Sequence, residues 1–197
     1  MIKSKVFLLV FVFALAACSK GTVSGTTGTQ TQATTSSPTQ ASGNISFTAP
    51  DGWVVEKTTS NMRVAQYKLP KNGGDTEDGS LVLYYFGQGQ GGGTQANIDR
   101  WISQIHQADG SDSKDKAKSE NLTVNGLKVT MIDVSGTYSA EMLPGSGDFT
   151  SKPNYRLRGA VIETPKGSYF AKLTGPEKTI SHWDQTFRDY INSFQFK

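Results

Sequence analysis

The sequence predicts an α+β fold, an antiparallel β-sheet with amphipathic helices packed on both faces in an α/β/α sandwich. The alternative is a two-layer α/β sandwich. Three observations predict it. Strand-like segments follow one another between turn signals, two of them closed as hairpins. Two segments carry apolar residues at helical spacing, Ile98, Trp101, Ile102 and Ile105 in one and Ile180, Trp183, Phe187, Tyr190, Ile191 and Phe194 in the other. The strands between them are nearly continuous in apolar character, as expected where helices cover both sides.

Taken in order, Ile45–Thr48 alternates as a short strand, and Pro50-Asp51-Gly52 is a turn in which Pro presets φ and Gly accepts a positive value. Trp53–Glu56 reads as a strand. Met62–Leu69 alternates, with Arg63, Ala65, Tyr67 and Leu69 on one face. Ser80–Phe86 is apolar enough for a central strand. A glycine-rich stretch, Gly87–Gly93, leads into a helix expected from Thr94 to Ala108. After a charged loop, Asp109–Ser119, come Asn121–Val124, an Asn125-Gly126 turn and Leu127–Tyr138; Asn-Gly between strands is a strong hairpin signal. A loop follows to about Asn154. Tyr155–Glu163, a Pro165-Lys166-Gly167 turn and Ser168–Thr174 make a second hairpin, and a closing helix runs to about Ser193. Phe194-Gln195-Phe196 is a candidate tail strand. One antiparallel meander is the expected connectivity.

Three regions are expected along the chain. Residues 1–17 read as a signal peptide: Lys3 and Lys5 precede an uncharged run from Val6 to Ala17, which at 12 residues is too short to span a bilayer as a helix. Residues 18–44 read as a lipidated cysteine and a disordered Thr/Ser/Gly/Gln-rich tether, too polar to offset its own ordering entropy. Its 26 residues after the cysteine reach roughly 25–30 Å as a flexible coil. Residues 45–197 form one globular domain, which holds all three tryptophans and all seven tyrosines.

Leu15-Ala16-Ala17-Cys18 resembles the bacterial lipobox. The resemblance implies that the Cys18 thiol receives a diacylglyceryl group and that the signal is cut before it. Two or three acyl chains, palmitate-like in length, anchor stably where one does not, since each buried methylene contributes about 0.8 kcal/mol. Ser19 resembles an outer-membrane sorting signal. The expected location is therefore the bacterial cell envelope, lipid-anchored in the outer membrane and facing the periplasm. Cys18 is the only cysteine of the chain, so once acylated it leaves no thiol for catalysis, a disulfide or a metal. Without Lys3 and Lys5, 18 basic side chains face 17 acidic ones, which gives no footprint for nucleic acid.

Phe47, Pro50-Asp51-Gly52-Trp53, the strand order around the mid-chain helix and the C-terminal amphipathic helix together resemble the PsbP-like family, over most of Ile45–Lys197. The resemblance implies the fold. Members of that family mostly bind other proteins or act in assembly, and no functional residue is carried over from them.

Candidate sites are few. Gly87, Gly89 and Gly92 satisfy G-x-G-x-x-G, but the dinucleotide motif needs a parallel βαβ unit with an acidic residue at its next strand end, which the following charged loop does not supply. The bland reading is a strand-to-helix connector; a lid over a carried ligand is another. His182, Asp133 and one of many serines could in principle form a hydrolase, yet no serine sits in G-x-S-x-G, and His106 and His182 lack zinc-ligand spacing. Asp75, Glu77 and Asp78 offer oxygen ligands for calcium without the EF-hand spacing. Arg156 and Arg158 share a strand face, where they could grip a partner's carboxylate or phosphate, or pair with Asp133 or Glu163 on neighbouring strands. The chain is expected to be a non-enzymatic binding or assembly module without a cofactor, attached to the membrane through its N-terminal lipid and contacting a protein or cell-wall partner, with a periplasmic hydrolase or small-ligand-binding protein as alternative.

Overall fold

The computed structural model describes residues 39–42, 44–140 and 147–197. The expected signal peptide, Cys18 and most of the tether lie outside them. Eleven strands and four helices follow in the order β1 (Thr39–Ser42), β2 (Ile45–Thr48), β3 (Val54–Val55), β4 (Arg63–Leu69), β5 (Gly79–Tyr85), α1 (Thr94–Ile102), β6 (Ile105–His106), α2 (Ser113–Lys116), β7 (Lys118–Val124), β8 (Leu127–Tyr138), β9 (Lys152–Glu163), β10 (Tyr169–Pro176), α3 (Glu177–His182), α4 (Asp184–Asn192) and β11 (Gln195–Phe196). All strand pairings are antiparallel.

The main sheet has the order β3-β4-β5-β10-β9-β8-β6, with β7 also paired to β8, and a small sheet joins β1, β2 and β11. This corrects the expected simple meander. β3-β4-β5 and β7-β8-β9-β10 are each meanders, but β5 pairs with β10, so the chain leaves the middle of the sheet through α1 and re-enters at the far edge as β6. Strand β1 lies within the segment expected to be tether; its backbone pairs Thr39 with Thr48 through Ser42 with Ile45.

Two apolar clusters lie on opposite faces of the main sheet, the three-layer arrangement rather than the two-layer alternative. Ile98, Trp101 and Ile102 of α1 pack on Ile132, Val134, Leu157, Val161 and Phe170. On the other face Ile180, Phe187, Tyr190 and Ile191 of α3 and α4 pack on Tyr67, Leu81, Met131, Ala160 and Leu173. Burying each side chain of the α1 stripe contributes about 1.5–3 kcal/mol, more than a nine-residue helix gains from its own hydrogen bonds. The Trp101 ring sits close over Gly159; a Cβ there would lie 2.4 Å from it.

Both helices differ from their expected lengths, for identifiable reasons. α1 stops at Ile102 instead of Ala108. Ser103 and Gln104 donate to Asp99 and Trp101 carbonyls, tightening the last turn, and Ile105–His106 then find partners on the β8 edge, with Ser139 N donating to the Gln104 carbonyl at 2.7 Å. Ile105 stays in the same apolar cluster, now from a strand. The closing helix breaks at Trp183 (φ −92°, ψ 11°), because its indole turns away to donate from Nε1 to the Pro70 carbonyl at 2.8 Å and to cover Gly52. Gly52 has φ +85°, which the Pro50-Asp51-Gly52 turn requires. The expected charged loop Asp109–Ser119 contains α2, whose N-cap Asp112 accepts from Lys114 N at 2.9 Å, and the beginning of β7. The tail strand forms as β11 against β2.

Strands β6 and β7 share one edge of β8, meeting its two halves. Between them Ser135 keeps a carbonyl that accepts from Gln107 Nε2 at 2.9 Å; the same nitrogen donates to Ser113 Oγ.

Candidate functional site

The residues singled out in the sequence disperse. Cys18 lies outside the described residues. In the glycine-rich loop, Asn97 of α1 is almost fully buried and its Nδ2 donates to the carbonyls of Gly91 (2.8 Å) and Gly93 (3.0 Å), folding the loop onto its own helix. Gly91 (φ +86°) lies against Phe86 and Phe170, leaving no room for a side chain. β5 and the next strand, β6, are far apart in an antiparallel sheet, so the parallel βαβ context of a dinucleotide site is missing.

Asp75, Glu77 and Asp78 turn to different partners. Asp75 accepts from the Thr179 backbone N–H and hydroxyl, Glu77 from Lys152 and Tyr155, and Asp78 from the Lys71 N–H. Among the described residues no three His, Cys, Asp or Glu side chains gather as metal ligands. His106 is exposed on β6 rather than beside a helix stripe, and His182 is exposed at the end of α3 with its ring edge-on to Trp183. Asp133 spends both oxygens on Arg156, from Nε at 2.8 Å and NH2 at 2.6 Å. Ser181 Oγ accepts from Arg156 and Ser135 Oγ donates to Glu177. No histidine, carboxylate and serine converge among these groups.

Arg156 and Arg158 are engaged inside the fold. Arg158 is 3% exposed, pairs with Asp184 at the start of α4, lies over the Phe187 ring at 5.2 Å, and has Asp133 4.0 Å away. Arg156 bridges Asp133 and Asp184. Burial opposes ionisation of Asp133, yet the hydrogen bonds and charge of Arg156 outweigh it and hold the carboxyl below its ordinary range. Glu163, the other expected partner, pairs with Lys128 instead. The cleft beside this network, about 350 Å³, is lined by Lys116, Lys118 and Arg156 facing Asp133 and Glu177, so its charges largely answer one another.

The site that sequence reading missed is on the α1 face. Register places cross-strand rows there. One row runs Thr130, Val161, Phe170, Tyr84, Arg63; the next Ile132, Gly159, Lys172, Val82, Gln66; the next Val134, Leu157, Thr174, Ser80, Lys68. A register shift between Arg63 and Ala65 turns Arg63 to this face, away from the Ala65, Tyr67 and Leu69 face on which simple alternation places it. The half on β8 and β9 is apolar and sealed under α1. The half on β10, β5 and β4 is a polar and aromatic shelf: Arg63, Gln66, Lys68, Tyr84 and Lys172 are each only partly buried. Lys172 lies on the line between the halves, at the foot of the wall formed by α1 and the turn after it. Its Nζ donates to Gln104 Oε1 and to the Tyr138 hydroxyl at 3.2 Å, and lies 5.2 Å from the Tyr138 ring centroid. Arg100, on the α1 wall, donates to Asn97. Arg63 donates to Gln66 at 2.6 Å and lies over the Tyr84 ring at 5.8 Å.

Burial, and secondarily the charge of Arg100, pull Lys172 down to about 8. Lys172, Arg100 and Arg63 form no ion pair with a carboxylate among the described residues; the nearby acids are taken, Glu56 by Gln66, Asp78 by Lys68 and Glu77 by Lys152. Beyond Lys172 the shelf opens into a cleft of about 360 Å³ lined by Ser80, Thr174, the stacked rings of Tyr138 and Tyr155, and Glu77 and Asp78, which pair with Lys152 and Lys68. A lysine inside a strand of alternating pattern reads as an ordinary outward residue. Only the pairing of β10 with β5, which places it against the α1 wall, gives it this setting.

No family model matches the chain, and no curated protein does. Among solved structures it is similar to a Pseudomonas aeruginosa protein of unknown function, at 15% identity and a TM-score of 0.42, over 80% of this chain and 94% of that one. It is also similar to the cyanobacterial PsbP (CyanoP) of Synechocystis sp. PCC 6803, at 11% identity and a TM-score of 0.48, over 87% of this chain and 99% of that one. The α+β class itself rests on the sheet order and the two packed faces. No helix among the described residues is long and apolar enough to cross a membrane.

Proposed function

We propose that the chain is a lipid-anchored lipoprotein of the bacterial envelope whose folded domain is a non-catalytic binding module, with the α1-side shelf as its contact face. One observation carries the binding reading: Lys172 is largely desolvated, lacks a carboxylate among the described residues and stands at the edge of an open shelf. A charge in that position lowers stability unless something else answers it. Functional surfaces are where such local costs are retained. The anchoring reading is supported by Leu15-Ala16-Ala17-Cys18 after a signal-like run and by the polar composition that follows.

Two measurements test the two parts. Intact-mass analysis of the protein expressed in a Gram-negative host should find a product that begins at Cys18 and carries acyl chains; Cys18→Ser should lose the added mass and leave the membrane fraction. An unmodified thiol on the wild type would overturn the anchoring. A photoreactive residue placed at Tyr84 should give a discrete adduct in intact cells, and the same residue at Gln185, exposed on α4, should not. Equal labelling from both positions, or none from Tyr84, would overturn the shelf as contact face.

A further inference from the structure

Resting on that reading, we infer that the shelf recognises a carboxylate carried by an acidic segment of a protein partner, received between Lys172 and Arg100. Charge complementarity points to it. Three cations, Lys172, Arg100 and Arg63, face this region without an ion pair to a carboxylate among the described residues, while of the described acids nearby Asp78 and Glu77 pair with Lys68 and Lys152 and Glu56 accepts from Gln66. The donors at the foot of the wall suit a single negative charge. Lys172 supplies one ammonium, Tyr138 a neutral hydroxyl within 3.2 Å of it, and Arg100 a guanidinium whose charge is felt at Lys172. A carboxylate seated there neutralises the ammonium and relieves its repulsion with Arg100, and its hydrogen bonds become charge-assisted. The setting is open on the β5 and β4 side, where Gln66, Lys68 and Tyr84 remain partly exposed. An extended protein surface can lie across it, with the 360 Å³ cleft between Ser80, Thr174 and the two stacked tyrosines, whose further lining includes Glu77 and Asp78, next in line for an uncharged neighbouring side chain.

The rows fix the direction of approach. Thr174, Lys172 and Phe170 lie successively along one face of β10, so a segment running beside α1 passes the cleft, then the ammonium, then the Tyr84–Phe86 stack, whose planes are 4° apart. The acidic residue is therefore expected with a small or polar neighbour on the cleft side and an apolar or aromatic one on the Tyr84 side.

The test uses the full-length lipoprotein in detergent, with lysine labelled at 13Cε and triglutamate, trilysine and inorganic phosphate as probes. The Lys172 resonance should titrate near pH 8 alone and at higher pH with saturating triglutamate. Lys172→Met should weaken triglutamate binding by about tenfold or more and Arg100→Gln by several-fold, as expected when a charged hydrogen-bond partner is removed. Lys178→Gln, exposed on α3 at the opposite face of the sheet, should change nothing. Trilysine should not bind. If triglutamate leaves Lys172 unmoved up to about 10 mM, weaker than any specific contact of this kind, or binds Lys172→Met as well as wild type, the inference fails. Saturation by phosphate without triglutamate would overturn it in favour of a free anion. A Tyr84 adduct that persists in cells while triglutamate fails would remove the carboxylate and leave the binding module standing.

Discussion

Replacing Lys172 with methionine should stabilise the free protein. The desolvated ammonium sits at about 8 against an ordinary lysine at 10.5. The native state therefore disfavours the charged form by about 3 kcal/mol relative to the unfolded chain, at 1.36 kcal/mol per tenfold change. Methionine keeps the unbranched stem between Val82 and Gly159 and carries no charge. Against this, Gln104 Oε1 and the Tyr138 hydroxyl lose their shared partner, at about 1 kcal/mol. The net gain near neutral pH is about 2 kcal/mol, or about 4–8 °C in midpoint for a domain of this size. The pH dependence fixes the cause. Because the folded value lies below the unfolded one, the native state binds fewer protons between about pH 8 and 10.5, and the wild type gains stability as pH rises through that window. The advantage of Lys172→Met is thus full below pH 8 and shrinks towards pH 10.5. Urea unfolding at a series of pH values measures it. A variant less stable than wild type at pH 7, or an advantage that does not shrink with pH, would refute the reasoning.

Three further outcomes follow from the packing. Gly159→Ala places a methyl 2.4 Å from the Trp101 ring and should cost about 1–3 kcal/mol by overpacking, read as a lower urea midpoint and altered tryptophan emission. Asp133→Asn removes the carboxylate that holds Arg156 and should cost about 3 kcal/mol at pH 7. Since the Asp133 value is depressed in the fold, its contribution is present above about pH 4 and is lost as pH falls through the folded value, so wild type and variant should converge in acid unfolding curves. Asn97→Ala unties the carbonyls of Gly91 and Gly93 and should cost about 1–3 kcal/mol, with new proteolytic cuts confined to Gly87–Gly93.

Period and turn chemistry made most of the architecture legible. The alternation of Ala65, Tyr67 and Leu69 sets the buried face of β4, Asn125-Gly126 makes its hairpin, and the Ile98, Trp101, Ile102 stripe lies on the sheet as its spacing demands. Local pattern is silent about tertiary competition. Ile105 fits the helical stripe and the strand equally well, and the open backbone of β8 decided between them. Trp183 fits the closing helix until the Pro70 carbonyl draws its indole away. The order of the sheet was hidden because the contact of β5 with β10 joins segments more than eighty residues apart. The candidate site was hidden for the same reason. Lys172 acquires its character from Gln104 and Tyr138, which are distant along the chain, whereas Arg156 and Arg158, conspicuous in sequence, are answered within the fold by Asp133 and Asp184.

The divided rim of β8 also bears on how the molecule keeps company with its own kind. A sheet border that is long, flat and apolar invites a second copy to zip on and begin a fibril. Here that border is broken in two, β6 of two residues and β7 of seven with Lys118 and Glu120 turned to water, and the interval between them is stoppered by the Gln107 amide. This side of the domain is therefore expected to resist edge-to-edge self-assembly.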